Sequence, residues 1–269
     1  MNSFLPTSMI AATVLGFVGS QSLQSKQTGE PALATRDAVT ASTEFAALGG
    51  RGLIVTCPDT AKLFCGDSTD PSITGTPTVT GACDDHPVLT YQDVVVSTPC
   101  PADRFDHVIQ RTWTATDSCG NTGSCVQRLD VLKELLFLDI HPTSCPNPVN
   151  ISGNGVIPAA ILGTANFNVA DIDPTSIQLW GLNCDGGPVA PIQFNYEDVS
   201  TPYTGNTLCG CNTLGADGFI DLTLKFNKQQ VVNALHLGSY PHFSFVHLTI
   251  VGKLTNGCGF IGVDCIRVQ

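Results

Sequence analysis

Residues 217–226 read DGFIDLTLKF, and this stretch decides how the second half of the chain is interpreted. From Ile220 onward, apolar side chains occupy every second position and alternate with Asp221, Thr223 and Lys225. A period of two predicts a β-strand with one buried face and one face in water. Similar short alternating runs, separated by Gly, Pro, Asp and Asn, recur along the chain. The sequence therefore predicts an all-β protein.

The acidic residues around this strand form a candidate calcium site. Calcium prefers about six to eight oxygen ligands held by flexible loops. The predicted ligands are the side chains of Glu197, Asp198, Asp217 and Asp221, with a backbone carbonyl near Phe219. The alternative interpretation is an ordinary Asp-Gly turn before a strand, with Asp221 on the wet face. Both interpretations stay open at this point.

The cysteine content indicates where the protein folds. Twelve cysteines are an even number, and reduced cytosolic proteins seldom carry so many without a metal. Zinc would require ligand pairs at Cys-x-x-Cys spacing, and no such pair occurs in the sequence. We therefore predict disulfides with pairing inside each half of the chain and open connectivity. The predicted disulfide residues are Cys57, Cys65, Cys83, Cys100, Cys119, Cys125, Cys145, Cys184, Cys209, Cys211, Cys258 and Cys265.

The charge limits the classes of partner. A formal net charge of −11 repels nucleic acid and anionic lipid, and it suits divalent cations or a saline exterior. We therefore expect no nucleic-acid partner. We also expect no membrane span, because the apolar run 9–18 is too short to cross a bilayer. The C-terminus carries no sortase-type, lipidation or hydrophobic-tail signal, so any anchoring to a cell is expected to be noncovalent.

The N-terminal 52 residues are predicted to lie outside the folded domains. Residues 1–20 resemble a signal peptide, with small residues at 18–20 where a peptidase cleaves. The alternative for this segment is a short buried helix. Residues 21–52 are rich in Gln, Ser, Thr, Ala and Gly and predict a flexible leader. The protein is therefore expected to be secreted, extracellular or at the cell surface.

Residues 53–133 are predicted to form the first domain. Within 111–117, threonines alternate with Trp113 and Ala115, so Trp113 is predicted to face inward and the threonines to face water. Residues 117–121 predict a tight turn. The order of cysteines, together with the run TWTATDSCGN over 112–121, resembles a hyalin-repeat (HYR-like) module. The resemblance implies an immunoglobulin-like sandwich with an adhesive or spacer role.

Residues 134–269 are predicted to form a second domain with one short helix over 227–235. The segments 139–140, 155–164, 197–199, 217–226 and 264–268 are similar to a poorly characterised domain of secreted bacterial proteins. That resemblance implies a calcium site at the Asp-Gly loop. In this chain, residues 200–216 are inserted and a single Asp-Gly remains. The predicted fold is thus two disulfide-stapled antiparallel β-sandwich domains, the first immunoglobulin-like and the second with one helix.

Catalytic motifs are missing from the sequence. The six histidines stand apart from one another, and no zinc-protease helix, nucleophile elbow or phosphate-binding loop occurs. We expect a secreted or cell-surface structural or adhesion protein that is not an enzyme and that contacts extracellular proteins, itself or glycans. The alternatives are a carbohydrate-binding module and a secreted hydrolase of unrecognised type. The aromatic residues considered for sugar stacking are Tyr91, Tyr196, Tyr203, Tyr240 and Trp180, the last more typical of a core residue.

Overall fold

The computed structural model describes residues 52–98, 100–207 and 209–269. The predicted signal peptide and nearly all of the predicted leader lie outside these described residues. Within them the fold is mostly β, so the all-β prediction is confirmed. No helix in the described part of the chain is both long enough and apolar enough to cross a membrane.

The first half contains two sheets. Its elements are β1 (Ile54–Thr56), β2 (Ala61–Phe64), α1 (Pro71–Thr74), β3 (Thr78–Thr80), β4 (Val88–Val96), β5 (Phe105–Thr116) and β6 (Thr122–Leu132). Strands β1 and β3 form a two-stranded antiparallel sheet. The larger sheet has the order β2-β6-β5-β4, in which β2 runs parallel to β6 and the other pairs are antiparallel.

The alternation in β5 places the residues as predicted. Trp113 and Ala115 are buried, whereas Thr112 and Thr116 are exposed. The indole N–H of Trp113 donates to Oε1 of Gln127 at 3.0 Å, because a buried polar group needs a partner. The turn that follows is held by the carboxylate of Asp117, which accepts the backbone N–H groups of Cys83, Cys119 and Asn121.

The second half contains two further sheets. Its elements are β7 (Glu134–Leu135), β8 (Leu138–Ile140), β9 (Pro148–Val149), β10 (Val156–Ile161), β11 (Ile172–Gly181), β12 (Gln193–Glu197), β13 (Asp221–Asn227), α2 (Lys228–Ala234), β14 (Phe245–Leu254) and β15 (Gly259–Val268). One sheet has the order β12-β13-β10-β8 and the other β11-β14-β15-β7, with β9 beside β15. Helix α2 confirms the helix predicted over 227–235.

The core of the second half lies between these two sheets. Strand β13 contributes Leu222, Leu224 and Phe226, all buried as predicted. The prediction was wrong for two neighbours: Ile220 is 53% exposed and Asp221 is fully buried. The strand begins only at Asp221, so Ile220 belongs to the preceding loop. Val199 and Ser200, at the start of this loop (residues 198–220), cover the carboxylate of Asp221 and donate their backbone N–H groups to it.

All twelve cysteines form disulfides, which confirms the prediction of disulfides over zinc ligands. The pairs are Cys57–Cys125, Cys65–Cys258, Cys83–Cys119, Cys100–Cys184, Cys145–Cys211 and Cys209–Cys265. Pairing confined to each half was therefore wrong for two bridges. Cys65–Cys258 and Cys100–Cys184 join the first half to the second: Cys65 directly follows β2, and Cys258 lies in the turn between β14 and β15.

The two crossing bridges belong to a larger contact, which we call the junction. Buried Ala102 packs against Val251 and Ile261, and the partly buried Trp180 packs against the same cluster. The ammonium group of Lys253 on β14 donates to Oδ1 of Asp106 on β5 at 2.6 Å. Covalent, apolar and ionic contacts thus connect the halves. The domain boundary at 133/134 lies between β6 and β7 and stays a prediction.

Removing the Cys65–Cys258 bridge tests the covalent part of the junction. We expect the double change Cys65→Ala and Cys258→Ala to lower the free energy of unfolding by about 2–4 kcal/mol, because a long loop in the unfolded chain is released. The matched control is Cys83→Ala with Cys119→Ala, since that bridge spans 36 residues instead of 193. Denaturant unfolding measures both. Equal losses, or a larger loss in the control, would contradict the assignment.

Candidate functional site

The 198–220 loop carries the residues that the sequence singled out. Two disulfides attach this loop to the rest of the second half: Cys209 bonds to Cys265 on β15, and Cys211 bonds to Cys145. Thr201 donates through its hydroxyl to the carbonyl of Gly215 at 2.7 Å, which closes the loop on itself. The segment inserted at 200–216 is therefore anchored at several points.

Asp221, the first residue of β13, attaches the start of the same loop to the sheet. Its Oδ2 accepts the backbone N–H groups of Val199 at 2.9 Å and Ser200 at 3.1 Å. Its Oδ1 accepts the backbone N–H of Gly163 at 3.0 Å. Burial raises the pKa of Asp221, while these three donors act in the opposite direction. A fully buried carboxylate with three backbone donors ties the loop to the sheet.

The other predicted calcium ligands also serve as hydrogen-bond acceptors. Asp198 accepts the backbone N–H groups of Asp217 at 3.0 Å and Gly218 at 2.8 Å, one on each oxygen. Asp217 accepts the N–H of Phe219 at 3.0 Å, and Glu197 accepts from the side chain of Asn195. Loop and turn geometry is thus set by carboxylates that bond to backbone N–H groups.

This donor set does not fit a calcium ion shared by the four side chains. Among the described residues, the predicted ligands do not bring three oxygen atoms within 4.8 Å of one another. Both oxygens of Asp198 and both oxygens of Asp221 already face N–H donors. An ion would have to displace those donors before it could be bound by this set. Calcium binding here stays a prediction from the sequence.

Two further carboxylates lie near Asp221, the half-buried Asp139 and the buried Asp264, and the sequence analysis gave neither of them a role. Asp139 on β8 accepts a hydrogen bond from the hydroxyl of buried Ser200, and burial raises its pKa. Asp264 on β15 accepts the N–H of Ile140 at 2.7 Å and the side-chain amide of Asn147 at 3.0 Å. Burial raises the pKa of Asp264 to about 6. The available signal was a single acidic residue inside an apolar strand run.

A groove opens beside Asp264, between the 198–220 loop and the β7–β8 segment. Its volume is about 470 Å³, and Leu135, Phe137, Tyr203 and Thr207 help to line it. Tyr203 is not a free stacking surface there, because Gly205 and Gly210 approach its ring so closely that a Cβ on either would overlap with it. Its hydroxyl lies 3.0 Å from Oγ1 of Thr207. Tyr203 therefore shapes the loop.

The remaining aromatic candidates divide into packed and exposed residues. Trp180 packs into the junction, in line with its interpretation as a core residue, and Tyr240 donates to Asp185 at 3.4 Å. Tyr196 on β12 is exposed and lies edge-on to Phe194, with ring centroids 6.4 Å apart. Tyr91 on β4 is exposed as well, and is described with the polar centre of the first half below.

The first half has a polar centre that the sequence did not reveal. Arg111 is fully buried and donates Nε and Nη2 to the two oxygens of Asp93 at 2.7 and 2.8 Å. Its Nη1 donates to Thr74 at 2.9 Å. The guanidinium carbon lies 4.2 Å from the centroid of the Tyr91 ring. The centroids of the Tyr91 and Trp113 rings are 5.0 Å apart, and the two rings are tilted by 53°. The bidentate pair satisfies a buried charge and fixes strand β4 on β5.

Three of the six histidines are in contact with other groups of the fold or are partly buried. His107 lies 2.9 Å from Oδ2 of Asp106 at the junction. Burial lowers the pKa of His141. Nε2 of His247 lies 3.5 Å from the sulfur of Cys209, and Cys265 completes a cluster with metal-ligand spacing. Both sulfurs of that cluster belong to one disulfide, so neither is the thiolate that a metal requires.

Strand β4 presents the longest exposed apolar run at a sheet edge. It is the terminal strand of the order β2-β6-β5-β4, and its outer edge has no strand partner among the described residues. The exposed fractions of its valines are 65% for Val88, 52% for Val94, 66% for Val95 and 37% for Val96. Its register with β5 continues over all nine residues without a bulge.

Comparisons with known proteins do not assign a family. No family model matches the chain, and no curated protein matches it. Among solved structures, Drosophila N-cadherin EC1-4 is 12% identical, with 82% of this chain and 50% of that chain covered and a TM-score of 0.25. SGBP-B from a Bacteroides ovatus mixed-linkage glucan utilization locus, in complex with a mixed-linkage heptasaccharide, is 11% identical. That match covers 78% of this chain and 43% of the other, with a TM-score of 0.22.

The chain thus spans half or less of the length of these two structures. The resemblance of residues 53–133 to a hyalin-repeat module stays a prediction.

Replacing Asp221 separates a hydrogen-bonding role from a calcium-binding role. Asp221→Asn converts one accepting oxygen into a donor, so we expect a loss of about 1–3 kcal/mol in the free energy of unfolding. The loss should be the same with calcium and with a chelator. Asp171→Asn is the control, because Asp171 is exposed and is not one of the predicted calcium ligands. A loss confined to calcium-containing buffer would support the calcium site instead.

Asp264 gives a pH dependence of defined sign. Its folded-state pKa of about 6 lies above the ordinary value of 3.8, so the folded protein binds this proton more tightly than the unfolded chain. The contribution of Asp264 to stability therefore falls as pH rises from about 4 to about 6. As pH rises over that range, the free energy of unfolding of Asp264→Asn should increase by about 3 kcal/mol relative to that of the parent. The control variant is Asp171→Asn, at an exposed site.

Denaturant unfolding of the parent and both variants at several pH values measures this difference. A gap between parent and Asp264→Asn that stays constant from about pH 4 to about pH 7 would contradict the assignment.

Proposed function

We propose that this chain is a non-enzymatic structural or adhesion protein of the extracellular space. Its work is to hold contact surfaces at fixed positions on one rigid body. The observation that carries this proposal is the junction, at which Cys65–Cys258 and Cys100–Cys184 connect the two halves covalently.

The junction suits a protein that experiences tension or defines a spacing. Noncovalent contacts between halves open under load, whereas a disulfide opens only when a covalent bond breaks. Here the apolar cluster around Ala102 and the Lys253–Asp106 ion pair support the two bridges. Relative motion of halves is the default expectation for a small polar interface. The two bridges remove that freedom.

The redox chemistry supports an extracellular location. Six disulfides form and persist in oxidising compartments and are rare in the reducing cytosol. The acidic chain, with a net charge of −11, also suits a saline exterior. The resemblance of the first half to a hyalin-repeat module, which implies an adhesive or spacer role, supports the proposal as well. Secretion through the 1–20 segment is part of the proposal.

Carbohydrate binding is the second candidate, because an edge strand carries two exposed aromatic rings and one of them lines a cleft that also contains polar groups. Phe194 and Tyr196 occupy alternate positions of edge strand β12 and are 46% and 42% exposed. A cleft of about 290 Å³ at this strand is lined in part by Phe194, Asn195, Glu197 and Lys225. Aromatic faces pack against apolar ring surfaces, and the polar groups supply hydrogen bonds. This surface replaces Tyr203 and Trp180 as the one to test.

Bead adhesion under flow tests the proposed function. Beads coated with the full chain are placed on surfaces that carry the same chain, extracellular-matrix protein or polysaccharide, and the shear that detaches them is measured. We expect the parent beads to adhere to a protein surface. The shear that detaches them should be lower for the variant in which Cys65, Cys258, Cys100 and Cys184 are replaced by Ala. That variant retains the four bridges confined within one half.

Three outcomes would contradict the structural or adhesive role. Parent beads could fail to adhere to any of the protein surfaces. Adhesion could occur to polysaccharide alone and disappear with Phe194→Ala or Tyr196→Ala, which would establish the carbohydrate-binding function. Turnover of a substrate, abolished by replacement of one histidine with folding intact, would establish a hydrolase.

A further inference from the structure

The free edge of β4 lacks the features that keep sheet edges from pairing. Exposed edges in monomeric proteins are usually short, interrupted by proline or a bulge, or protected by lysine. In this chain β2 has four residues and contains Lys62. Strand β11 contains Pro174 and shifts register between Asp173 and Gln178. Strand β4 has nine residues, unbroken register, and neither proline nor lysine.

The edge is also electrically neutral, although the whole chain is acidic. Asp93 is the single charged residue of β4, and both of its oxygens are bonded to the guanidinium of buried Arg111. A second β4 strand would therefore not meet an uncompensated charge at its centre. The remaining net charge of the chain acts from further away, and salt at physiological concentration screens it beyond about 8 Å.

We propose that two copies of this chain associate through β4, strand to strand and antiparallel, about a two-fold axis at Gln92. The two four-stranded sheets of the first half would then form one continuous sheet. This inference rests on the proposed structural or adhesive function and identifies one partner as a second copy. The contact is strand addition at an exposed edge, in which backbone hydrogen bonds supply affinity and side chains set register.

The sequence of β4 is self-complementary in this register. Val88 lies opposite Val96 of the second copy, and Leu89 lies opposite Val95 of the second copy, so apolar pairs close both ends of the contact. Cross-strand apolar pairs of this kind stabilise antiparallel sheets. Gln92 lies opposite Gln92 of the second copy, and Asp93, whose oxygens are bonded to Arg111, lies opposite Tyr91 of the second copy.

Neighbouring registers are less favourable. Moving the axis to Asp93 leaves Val88 and Leu89 beyond the end of the partner strand. Moving it to Tyr91 leaves Val95 and Val96 beyond the end of the partner strand. The axis at Gln92 also pairs all nine residues. Register and length therefore favour one symmetric arrangement, and a different protein would have no reason to match that symmetry.

Sedimentation of the full chain over a range of concentrations tests the association. We expect a monomer–dimer equilibrium that Val95→Lys weakens at least about tenfold, since a lysine on an edge strand opposes pairing. The matched control is Val126→Lys, because Val126 is similarly exposed, at 60% against 66%, but lies on β6 inside the same sheet. The control should dimerise like the parent, and the parent should dimerise more strongly at higher salt.

Cysteine cross-linking tests the register independently. Gln92→Cys should give a disulfide-linked dimer, because the two copies of residue 92 face each other across the axis. Gln110→Cys should not, although Gln110 lies on the same face, opposite Val94. Its two copies would be about 20 Å apart, because three strand spacings separate them across the sheet and four residues separate them along it, which is beyond the reach of a disulfide.

Several results would overturn the proposal. One is a parent chain that stays monomeric at every concentration. This includes the case in which the chain's own N-terminal segment covers the edge of β4, which slow hydrogen exchange at β4 in the monomer would indicate. Others are dimers that Val95→Lys leaves intact, or cross-linking through residue 110. Dimerisation is measured in solution without beads, so its failure would leave the adhesion test, and the role of the junction, to be judged separately.

Discussion

The structure depends on covalent closure between its two halves. The first half has a small apolar core, formed by Leu63, Ile109, Leu129 and Val131, and a sheet of this size gains limited stability from burial alone. It relies in addition on the buried Arg111 network and on bridges that attach it to the larger sandwich of the second half. The bridges that stabilise the smaller first half also fix its position relative to the second half.

Covalent anchoring is repeated around the 198–220 loop, where it is combined with buried carboxylates. Asp139, Asp221 and Asp264 lie close together, and a cluster of acids inside a protein is unfavourable unless each one is satisfied. Backbone and side-chain donors satisfy them here, and burial raises the pKa of all three. Of these three, only Asp221 belongs to the predicted calcium site, and its oxygens accept the backbone N–H groups that attach the loop to the sheet.

Local patterns predicted the strands, and tertiary contacts decided the rest. Alternation placed Trp113 and Leu224 inside correctly, because period-two spacing is a property of the strand itself. It could not show that a loop covers the second face, so Asp221 was placed in water. Pairing of Cys65 with Cys258, 193 residues apart, depends on how sheets pack and leaves no local signal. The Asp93–Arg111 pair was missed for the same reason.

The central claim is that bonds between the halves make one rigid body, and peptide mapping of the native, unreduced protein tests it most directly. Digestion followed by mass spectrometry should recover peptides that join Cys65 to Cys258 and Cys100 to Cys184. Free thiols at these positions, or bridges confined within residues 53–133 and 134–269, would contradict the account.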